Sequence, residues 1–378
     1  MAAKADHRRS APSTKDFAMV TAPQGNGPTA PRIDLHSDTC SLPTAAMRAA
    51  MAAAPVGNEQ SQEDPTVNEL CAMTATLLGK EAAIFLPSGT MCNEIAYRVW
   101  VDHGEEIILD ASSHGLHFET GGPAALSGAM TRTVAGDRGR FTAEQMVAAI
   151  RPASRHAPRT ALVSVENTAN MGGGAVWPLA QLQAVGRAAR EHGLPLHMDG
   201  ARLLNAVVAS GVSAADFAAP CDSVWIDLSK GLGCPVGGVL AGDGDFIDKA
   251  WRFKHQFGGA MRQAGIIAAA GVHALEHHVD RLAEDHANAQ TLAQGLAGID
   301  GLDLDPATVE TNMVYFDVAK TGLTGAEFSA ALRPHEVRIS AMGPTLMRAV
   351  THIDIDRAMI DEAISASAAV AAAAPSRA

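Results

Sequence analysis

Several residue types that mark secreted, membrane-spanning or nucleic-acid-binding proteins are scarce in this sequence of 378 residues. The five cysteines are odd in number and form no Cys-x-x-Cys pair, which indicates reduced thiols in a cytoplasmic protein rather than a disulfide framework. Acidic residues exceed basic ones, 41 to 29, and the net charge of −12 argues against nucleic acid or an anionic membrane as a partner. No apolar run approaches the roughly 20 residues of a membrane span.

Lysine is also scarce, and one of the seven lysines stands out by its surroundings. Lys230 follows Val224–Leu228, a run rich in β-branched and aromatic side chains that predicts a short buried strand. Glycines follow it at 231, 233, 237 and 238. Desolvation at such a position favours the neutral, nucleophilic form of a lysine. A surface lysine in a strand–helix turn is the alternative that this spacing alone leaves open.

The order of the predicted elements indicates an α/β fold. Apolar extended segments alternate with helical ones between residues 83 and 241, which predicts βαβ units and a largely parallel sheet. A long helical stretch over 264–296 is followed by strand-like and helical segments that predict a smaller α+β domain. The expected organisation is a disordered N-terminal segment (1–31), a large domain (32–275), a small C-terminal domain (276–370) and a frayed tail (371–378).

Polar residues gather where the predicted strands end, which is where functional groups collect in parallel sheets. Ser88-Gly89-Thr90 lies between a strand and a helix N-terminus, where free N–H groups and the helix dipole suit a phosphate. Asp199 ends the strand before Lys230, 31 residues earlier, so both side chains can face one pocket. An imine-forming lysine, an acid for a ring nitrogen and a phosphate cradle together indicate pyridoxal 5′-phosphate, an electron-sink cofactor.

Motifs along most of the chain resemble those of the low-specificity L-threonine aldolases, in the β-eliminating lyase and threonine aldolase group of fold-type-I pyridoxal-phosphate enzymes. The matching motifs are Ser37-Asp-Thr39, Glu63–Asn68, Pro87–Met91, Glu166-Asn-Thr168, His197–Arg202, Leu228–Gly233 and Met261–Gly265. The resemblance implies a transferase-like large domain with a mostly parallel seven-stranded sheet and a smaller C-terminal α+β domain. It also implies a homotetramer with active sites at dimer interfaces.

The resemblance implies a role for each matching residue. Lys230 would bind the cofactor covalently, Asp199 would pair with its ring nitrogen, and His114 would stack on its ring. The implied cofactor-binding set is Lys230, Asp199, Ser88, Gly89, Thr90, His114, Arg202 and Arg262, the last reaching in from a partner subunit. The implied substrate-binding set, which would hold the carboxylate of an amino acid, is Ser37, Arg202 and Arg348.

The implied reaction is retro-aldol cleavage of L-threonine, L-allo-threonine or related β-hydroxy-α-amino acids to glycine and an aldehyde. Lys230 would be catalytic, and His114 and His156 are the candidate bases because histidine titrates near working pH; a bound water is a rival. β-Elimination or racemisation with the same cofactor is an alternative, since the orientation of the breaking bond selects among these reactions. A non-catalytic relative acting as a binding module is a third possibility.

Four segments depart from the family pattern and alter the expected rim of the pocket. His36 replaces an arginine, Asn58–Gln62 replaces Asp-Asp-Val-Tyr-Gly, Ala169 replaces a histidine, and Lys254-His255 replaces Arg-Lys. These departures leave the preferred aldehyde open. His114 and His117 form an HxxH pair, but no carboxylate or cysteine at ligand spacing completes a zinc site, so we expect no metal.

Overall fold

The computed structural model describes residues 31–374, so the predicted disordered segment, apart from its last residue, and residues 375–378 lie outside the described residues. The strands are β1 Ile33–Asp34, β2 Ala82–Leu86, β3 Glu106–Asp110, β4 Met130–Val134, β5 Thr160–Glu166, β6 Leu196–Gly200, β7 Ser223–Asp227, β8 Gly238–Gly242, β9 Met313–Asp317, β10 Val337–Arg338, β11 Ser340–Ala341 and β12 Leu346–Val350. The α-helices are α1 Ala45–Ala53, α2 Pro65–Leu78, α3 Gly89–Trp100, α4 His114–His117, α5 Gly122–Ser127, α6 Ala143–Ala149, α7 Leu179–Glu191, α8 Leu203–Ser210, α9 Ala214–Ala218, α10 Gly244–Gln256, α11 Gly265–His277, α12 Leu282–Ala297, α13 Gly325–Leu332 and α14 Arg357–Ala373.

A seven-stranded sheet forms the centre of the larger unit, in the order β2-β8-β7-β6-β5-β3-β4. Strand β8 runs antiparallel to its neighbours β2 and β7, and the other pairs are parallel. Every residue of β3, β5, β6, β7 and β8 is buried, as expected for strands covered on both faces. The predicted mostly parallel, seven-stranded sheet is confirmed.

Several elements differ from the sequence prediction, and three of them show why. Strand β4 was not predicted because it is an edge strand whose residues are mostly solvent-exposed and polar. Helix α10, also unpredicted, begins after Asp243, whose carboxylate accepts a hydrogen bond from the Phe246 N–H at 2.7 Å. The single helix predicted over 264–296 is two helices, α11 and α12, and between them the His278 ring is tied to the Leu232 carbonyl at 2.8 Å.

A second hydrophobic core belongs to the smaller unit, where β11, β12 and β9 form an antiparallel sheet covered by α12, α13 and α14. The first described strand belongs to this unit, because β1 pairs in parallel with β10, and Ile33 and Leu35 are fully buried in the second core. Residues 33–35 therefore pack away from the larger sheet to which the predicted boundary assigned them. Helix α14 continues to Ala373, so residues 371–373 of the predicted frayed tail are helical.

A fully buried ion pair joins two of the segments that depart from the family pattern. Lys254 on α10 contacts the Glu59 carboxylate, and its ammonium also donates to the Phe85 carbonyl at 2.8 Å. The second oxygen of Glu59 accepts from the Met261 N–H at 2.9 Å. Because each charge is desolvated, each depends on the other for its stability in the interior. The two departures are therefore coupled in the fold.

We expect Lys254→Met to lower the free energy of unfolding by about 3–5 kcal/mol, because Glu59 would remain as an uncompensated buried charge. The double variant Lys254→Met/Glu59→Gln should recover part of this loss, since it buries no net charge. Urea unfolding measures both, with Lys249→Met, exposed on the same helix, as the control. A single variant that loses under about 1 kcal/mol would contradict the coupling.

Candidate active site

One pocket opens beyond the carboxyl ends of β5, β6 and β7, with a cavity volume of about 210 Å³. Its lining residues are Thr39, Ser88, Gly89, Thr90, His114, Glu119, Glu166, Asp199, Ala201, Arg202, Trp225, Asp227 and Lys230. The fold thus brings most of the predicted cofactor-binding residues to one cavity, which is expected because parallel strands end at the same edge of a sheet.

The first turn of α3 forms one end of the pocket. Ser88 caps the helix, and its hydroxyl accepts a hydrogen bond from the Met91 N–H at 3.2 Å. A Cβ added at Gly89 would lie 2.7 Å from the Cζ3 atom of the Trp225 ring, so only glycine fits between the helix and the indole. The free N–H groups of this turn and the helix dipole suit an anion such as a phosphate.

Lys230 lines the same pocket and is largely buried, with 16% of its side chain exposed. Its ammonium donates to the Asp227 carboxylate at 2.6 Å and lies 5.6 Å from the centre of the Trp225 ring. The other oxygen of Asp227 accepts from the N–H and hydroxyl of Ser229, at 2.7 and 2.8 Å. The lysine is therefore desolvated, as the sequence predicts, but it has an ionic partner that the sequence analysis did not identify.

Asp199 lies at the base of the pocket and has hydrogen bonds to both of its oxygens. One accepts from the Ala201 N–H at 3.0 Å and the other from the side-chain amide of Asn93 at 2.8 Å. The same amide group donates to Glu119 at 2.7 Å, and the Asn93 oxygen accepts from the Trp225 indole N–H at 2.7 Å. Asn93 thus orients an acid of the kind that pairs with a protonated ring nitrogen.

His114 is held by two carboxylates at the start of α4. Its backbone N–H donates to Glu166 at 2.8 Å, and its ring Nδ1 lies 2.9 Å from Glu119. Burial lowers the pKa of His114, but the Glu119 hydrogen bond and the nearby charge of Asp199 outweigh this effect and leave the pKa above its ordinary value. Burial, with the charge of Asp199, raises the pKa of Glu166 to about 7.

Arg202 uses much of its guanidinium within the protein. Its Nε and Nη2 atoms donate to the two oxygens of Asp38 at 2.6 and 2.7 Å, and Asn312 adds a bond to Asp38 at 3.1 Å. Burial would raise the pKa of Asp38, but the Arg202 charge outweighs burial and holds the pKa well below its usual range. With its fork committed to Asp38, Arg202 can offer a ligand one further nitrogen rather than bidentate binding.

Ser37 and Arg348, the other predicted substrate-binding residues, lie beside the pocket rather than in its lining. The Ser37 hydroxyl accepts from the Thr39 N–H at 3.2 Å and from the Thr39 hydroxyl at 2.8 Å. Arg348, on β12 of the smaller unit, donates from Nη1 to Asn170 at 3.0 Å and from Nη2 to the His36 carbonyl at 3.3 Å. The buried Nε of Arg348 has no acceptor among the described residues.

His156 and Arg262 do not reach the pocket of their own chain. His156 is exposed in the segment before β5, whereas β5 meets the pocket at its other end, Glu166. A strand of seven residues spans about 20 Å, so His156 lies at the end of β5 that is far from the pocket. The prediction that His156 acts as a base therefore needs correction, because it does not hold for the pocket of the same chain. Arg262 is exposed between α10 and α11 and does not line the cavity.

The HxxH metal alternative receives no support from the geometry. His117 turns away from the pocket, and its Nε2 lies 2.7 Å from the Ala111 carbonyl. Ligand atoms of His114, Glu119 and Asp199 do lie within 4.8 Å of one another. Hydrogen bonds explain why these three side chains lie together: the Asn93 amide binds both Glu119 and Asp199, and the His114 ring contacts Glu119.

The beta-eliminating lyase family model matches residues 34–319. The chain is 42% identical over 333 residues to the low specificity L-threonine aldolase of Escherichia coli K12, covering 87% of this chain and 96% of that protein. The chain belongs to the low-specificity L-threonine aldolase family. The low-specificity L-threonine aldolase 1 of Arabidopsis thaliana is 39% identical over 328 residues, covering 85% of this chain and 92% of that protein. In fold, the threonine aldolase structure from Leishmania major is similar at a TM-score of 0.76 and 21% identity, covering 90% and 99% of the two chains.

Enzymes of this family depend on pyridoxal 5′-phosphate, and the pocket fits that cofactor. The first turn of α3 offers N–H groups for the phosphate, Asp199 offers a carboxylate for the ring nitrogen, and the Lys230 amine faces the same cavity.

Four residues of the site were missed as functional residues by the sequence analysis: Asn93, Glu119, Trp225 and Asp227. Asp227 carried a local signal, since it is an acid ending an apolar strand three residues before Lys230. Asn93 accompanies the family motif at Pro87–Met91, but its role comes from a hydrogen bond to Asp199 across 106 residues of sequence, which only the fold creates. The role of Glu119 likewise comes from its contacts with Asn93 and His114.

We expect Gly89→Ala to weaken cofactor binding at least about tenfold, or about 1.4 kcal/mol, because the new Cβ overlaps the Trp225 ring and displaces the cradle. Equilibrium dialysis against pyridoxal 5′-phosphate provides the measurement. Gly298→Ala, at an exposed helix end with φ −82°, is the matched control and should bind normally. Equal affinity for both variants would show that the turn does not hold the phosphate.

Proposed function

We propose that this protein cleaves L-threonine, L-allo-threonine or a related β-hydroxy-α-amino acid into glycine and an aldehyde by a retro-aldol reaction. The observation that carries the proposal is the convergence of Lys230, Asp199 and the Ser88–Thr90 turn on one pocket. The similarity to L-threonine aldolases along nearly their whole length adds support. The bound cofactor supplies an electron sink for the bond that breaks at the α-carbon of the amino acid.

Binding of the substrate carboxylate is the step that selects the reaction. Arg202 offers the nitrogen not committed to Asp38, and Arg348 adds a second positive charge. A carboxylate held there fixes the rotation of the substrate about the bond between its nitrogen and its α-carbon. The bond from the α-carbon to the β-carbon, rather than the bond to hydrogen, is then presented for cleavage. Ser37 lies beside Thr39 at the same side of the pocket and adds a hydroxyl.

Removal of the β-hydroxyl proton requires a base, and His114 is the candidate within the chain. Its Nδ1 is engaged by Glu119, so a neutral ring in which Nδ1 carries the hydrogen would take the proton at Nε2. Because its pKa is raised, the neutral form is lost as the pH falls, and activity should fall with it on the acidic side. A water bound at the pocket remains the rival base.

The proposed assembly is a homotetramer whose pockets lie at dimer interfaces, as the family resemblance implies. His156 and Arg262 are exposed and lie outside the pocket of their own chain, which supports a role for each of them in the pocket of a neighbouring subunit. Arg262 would add a cation near the phosphate there, and His156 would be a second candidate base.

The proposed compartment is the cytoplasm. All five cysteines are free thiols, as expected in a reducing environment. Among residues 31–374, no helix combines the length and the apolar character needed to cross a bilayer.

Incubation with L-threonine should yield glycine and acetaldehyde in equal amounts, measured by amino-acid analysis and an aldehyde-coupled assay. Lys230→Ala should abolish this turnover and the visible absorbance of the bound cofactor without unfolding the protein, because it removes the amine that binds the cofactor. Lys249→Ala, at an exposed lysine, is the control. Ammonia and a keto acid in place of glycine and aldehyde would contradict the proposal.

Co-expression of Lys230→Ala with Arg262→Ala subunits tests the shared pocket. Each variant alone should be nearly inactive, but a mixed dimer should regain activity, because one of its two pockets contains both natural residues. Activity is measured on hybrids separated by two affinity tags. Hybrids as inactive as the parent variants would place both residues in the pocket of the same chain.

A further inference from the structure

Behind the pocket lies a buried carboxyl pair that the proposed reaction does not use. Glu94, on α3 next to Asn93, is 2% exposed, and Glu119 is 4% exposed. Both carboxyl oxygens of Glu94 and the Oε2 of Glu119 have no hydrogen-bond donor among the described residues. Gly122 packs against the Glu94 carboxyl so closely that a Cβ there would overlap it. Burial of two ionised carboxylates without hydrogen-bond donors would carry a large free-energy cost of desolvation.

A shared proton resolves this conflict, because Glu94 and Glu119 are placed to hydrogen-bond to each other. The proton belongs to Glu94. Glu119 Oε1 is bound by the Asn93 amide at 2.7 Å and faces the His114 ring at 2.9 Å, and both contacts stabilise an anion, whereas Glu94 has no comparable contact. In agreement, burial together with the Glu119 charge raises the pKa of Glu94 to about 9.

We propose that Glu94 is a positioning residue: a neutral carboxylic acid that donates a hydrogen bond to Glu119 and thereby holds the Glu119 carboxylate against His114 and Asn93. Glu94 does not touch the substrate or the cofactor. It acts on His114 through Glu119, and on Asp199 through Glu119 and the Asn93 amide. The charge of the candidate base therefore depends on a group behind the pocket wall.

The other charged and titratable groups near His114 and Glu94 determine how the Glu94–Glu119 pair can affect the protonation of His114. His114 is faced by Glu119, by Asp199 on β6 and by Glu166 on β5, all of which favour its protonated ring. Glu94 is faced by Glu119 and by Tyr97 one turn along α3; burial raises the pKa of Tyr97 well above its ordinary value, so this phenol stays neutral. Without a donor from Glu94, the Glu119 Oε2 atom would have no hydrogen-bond partner, and the Glu119 carboxylate would no longer be held against the His114 ring.

The test is a pH titration of the His114 ring in full-length holoenzyme labelled at histidine Cε1, followed by NMR and assigned with His114→Asn. Glu94→Gln keeps a donor for Glu119, so the pKa of His114 should stay within about 0.3 units of wild type. Glu94→Leu removes the donor and should lower that pKa by about one unit, a tenfold change in the protonation equilibrium. Glu69→Gln, exposed on α2, controls for the loss of one carboxyl group.

An unchanged titration in Glu94→Leu, or a Glu94→Gln shift as large as that of Glu94→Leu, would overturn the proposal. If Glu94→Leu does not fold, infrared difference spectroscopy of wild type minus Glu94→Gln decides the question. A protonated-carboxyl C=O band at neutral pH is expected, and a carboxylate band in its place would overturn the proposal. The inference rests on the proposed role of His114, but both measurements report protonation rather than turnover. If the protein is inactive on threonine but His114 titrates as expected, only the proposed function is refuted, and the role of Glu94 is retained.

Discussion

The side-chain amide of Asn93 is the interaction on which the rest of the site depends. It donates to both Glu119 and Asp199, and its oxygen accepts from the Trp225 indole N–H. These partners come from different elements of the larger unit, so one amide sets the relative positions of the two acids and the indole. Because the atoms are buried, removal of any one partner would leave a polar group without compensation, which costs about 1–3 kcal/mol.

The pocket places charges of both signs close together. Asp199 and Glu119 are linked through the Asn93 amide. The first turn of α3 lines the same pocket, and its backbone N–H groups rather than side chains favour an anion. Asp227 lies beside this turn, since a Cβ at Gly89 would come within 3.1 Å of its carboxylate, and it balances the Lys230 ammonium. A ligand that carries both a phosphate and a basic nitrogen would complement this combination of groups.

The smaller unit completes the site from the other side. Asp38 binds Arg202 of the larger unit and also accepts from Asn312 of the smaller one, so the same carboxylate links both. Arg138 of the larger unit donates to Glu310 at 2.6 Å, and Glu310 also accepts from the Val176 N–H at 2.9 Å. A substrate carboxylate held between Arg202 and Arg348 would therefore bridge two cores whose relative position is set by buried polar contacts.

The sequence by itself determined the fold class and most of the residues that line the pocket. The strand before Lys230, the turn at Ser88 and the acid at Asp199 have local signals, since apolar runs and helix caps depend on near neighbours in the chain. The edge strand β4 had no such signal, because an exposed strand needs no apolar run. Nor did the packing of residues 33–35 in the second core, which depends on pairing with a strand some 300 residues away.

Only the tertiary structure decided how the charges of the site are paired. Asp227 with Lys230, Asp38 with Arg202, and Glu119 with Glu94 and His114 are relations among side chains whose protonation depends on burial and on neighbours across the fold. It also showed that His156 lies beyond reach of the pocket in its own chain. Sequence specifies which groups a chain carries, whereas desolvation and distance, which set their charge and their partners, exist only after folding.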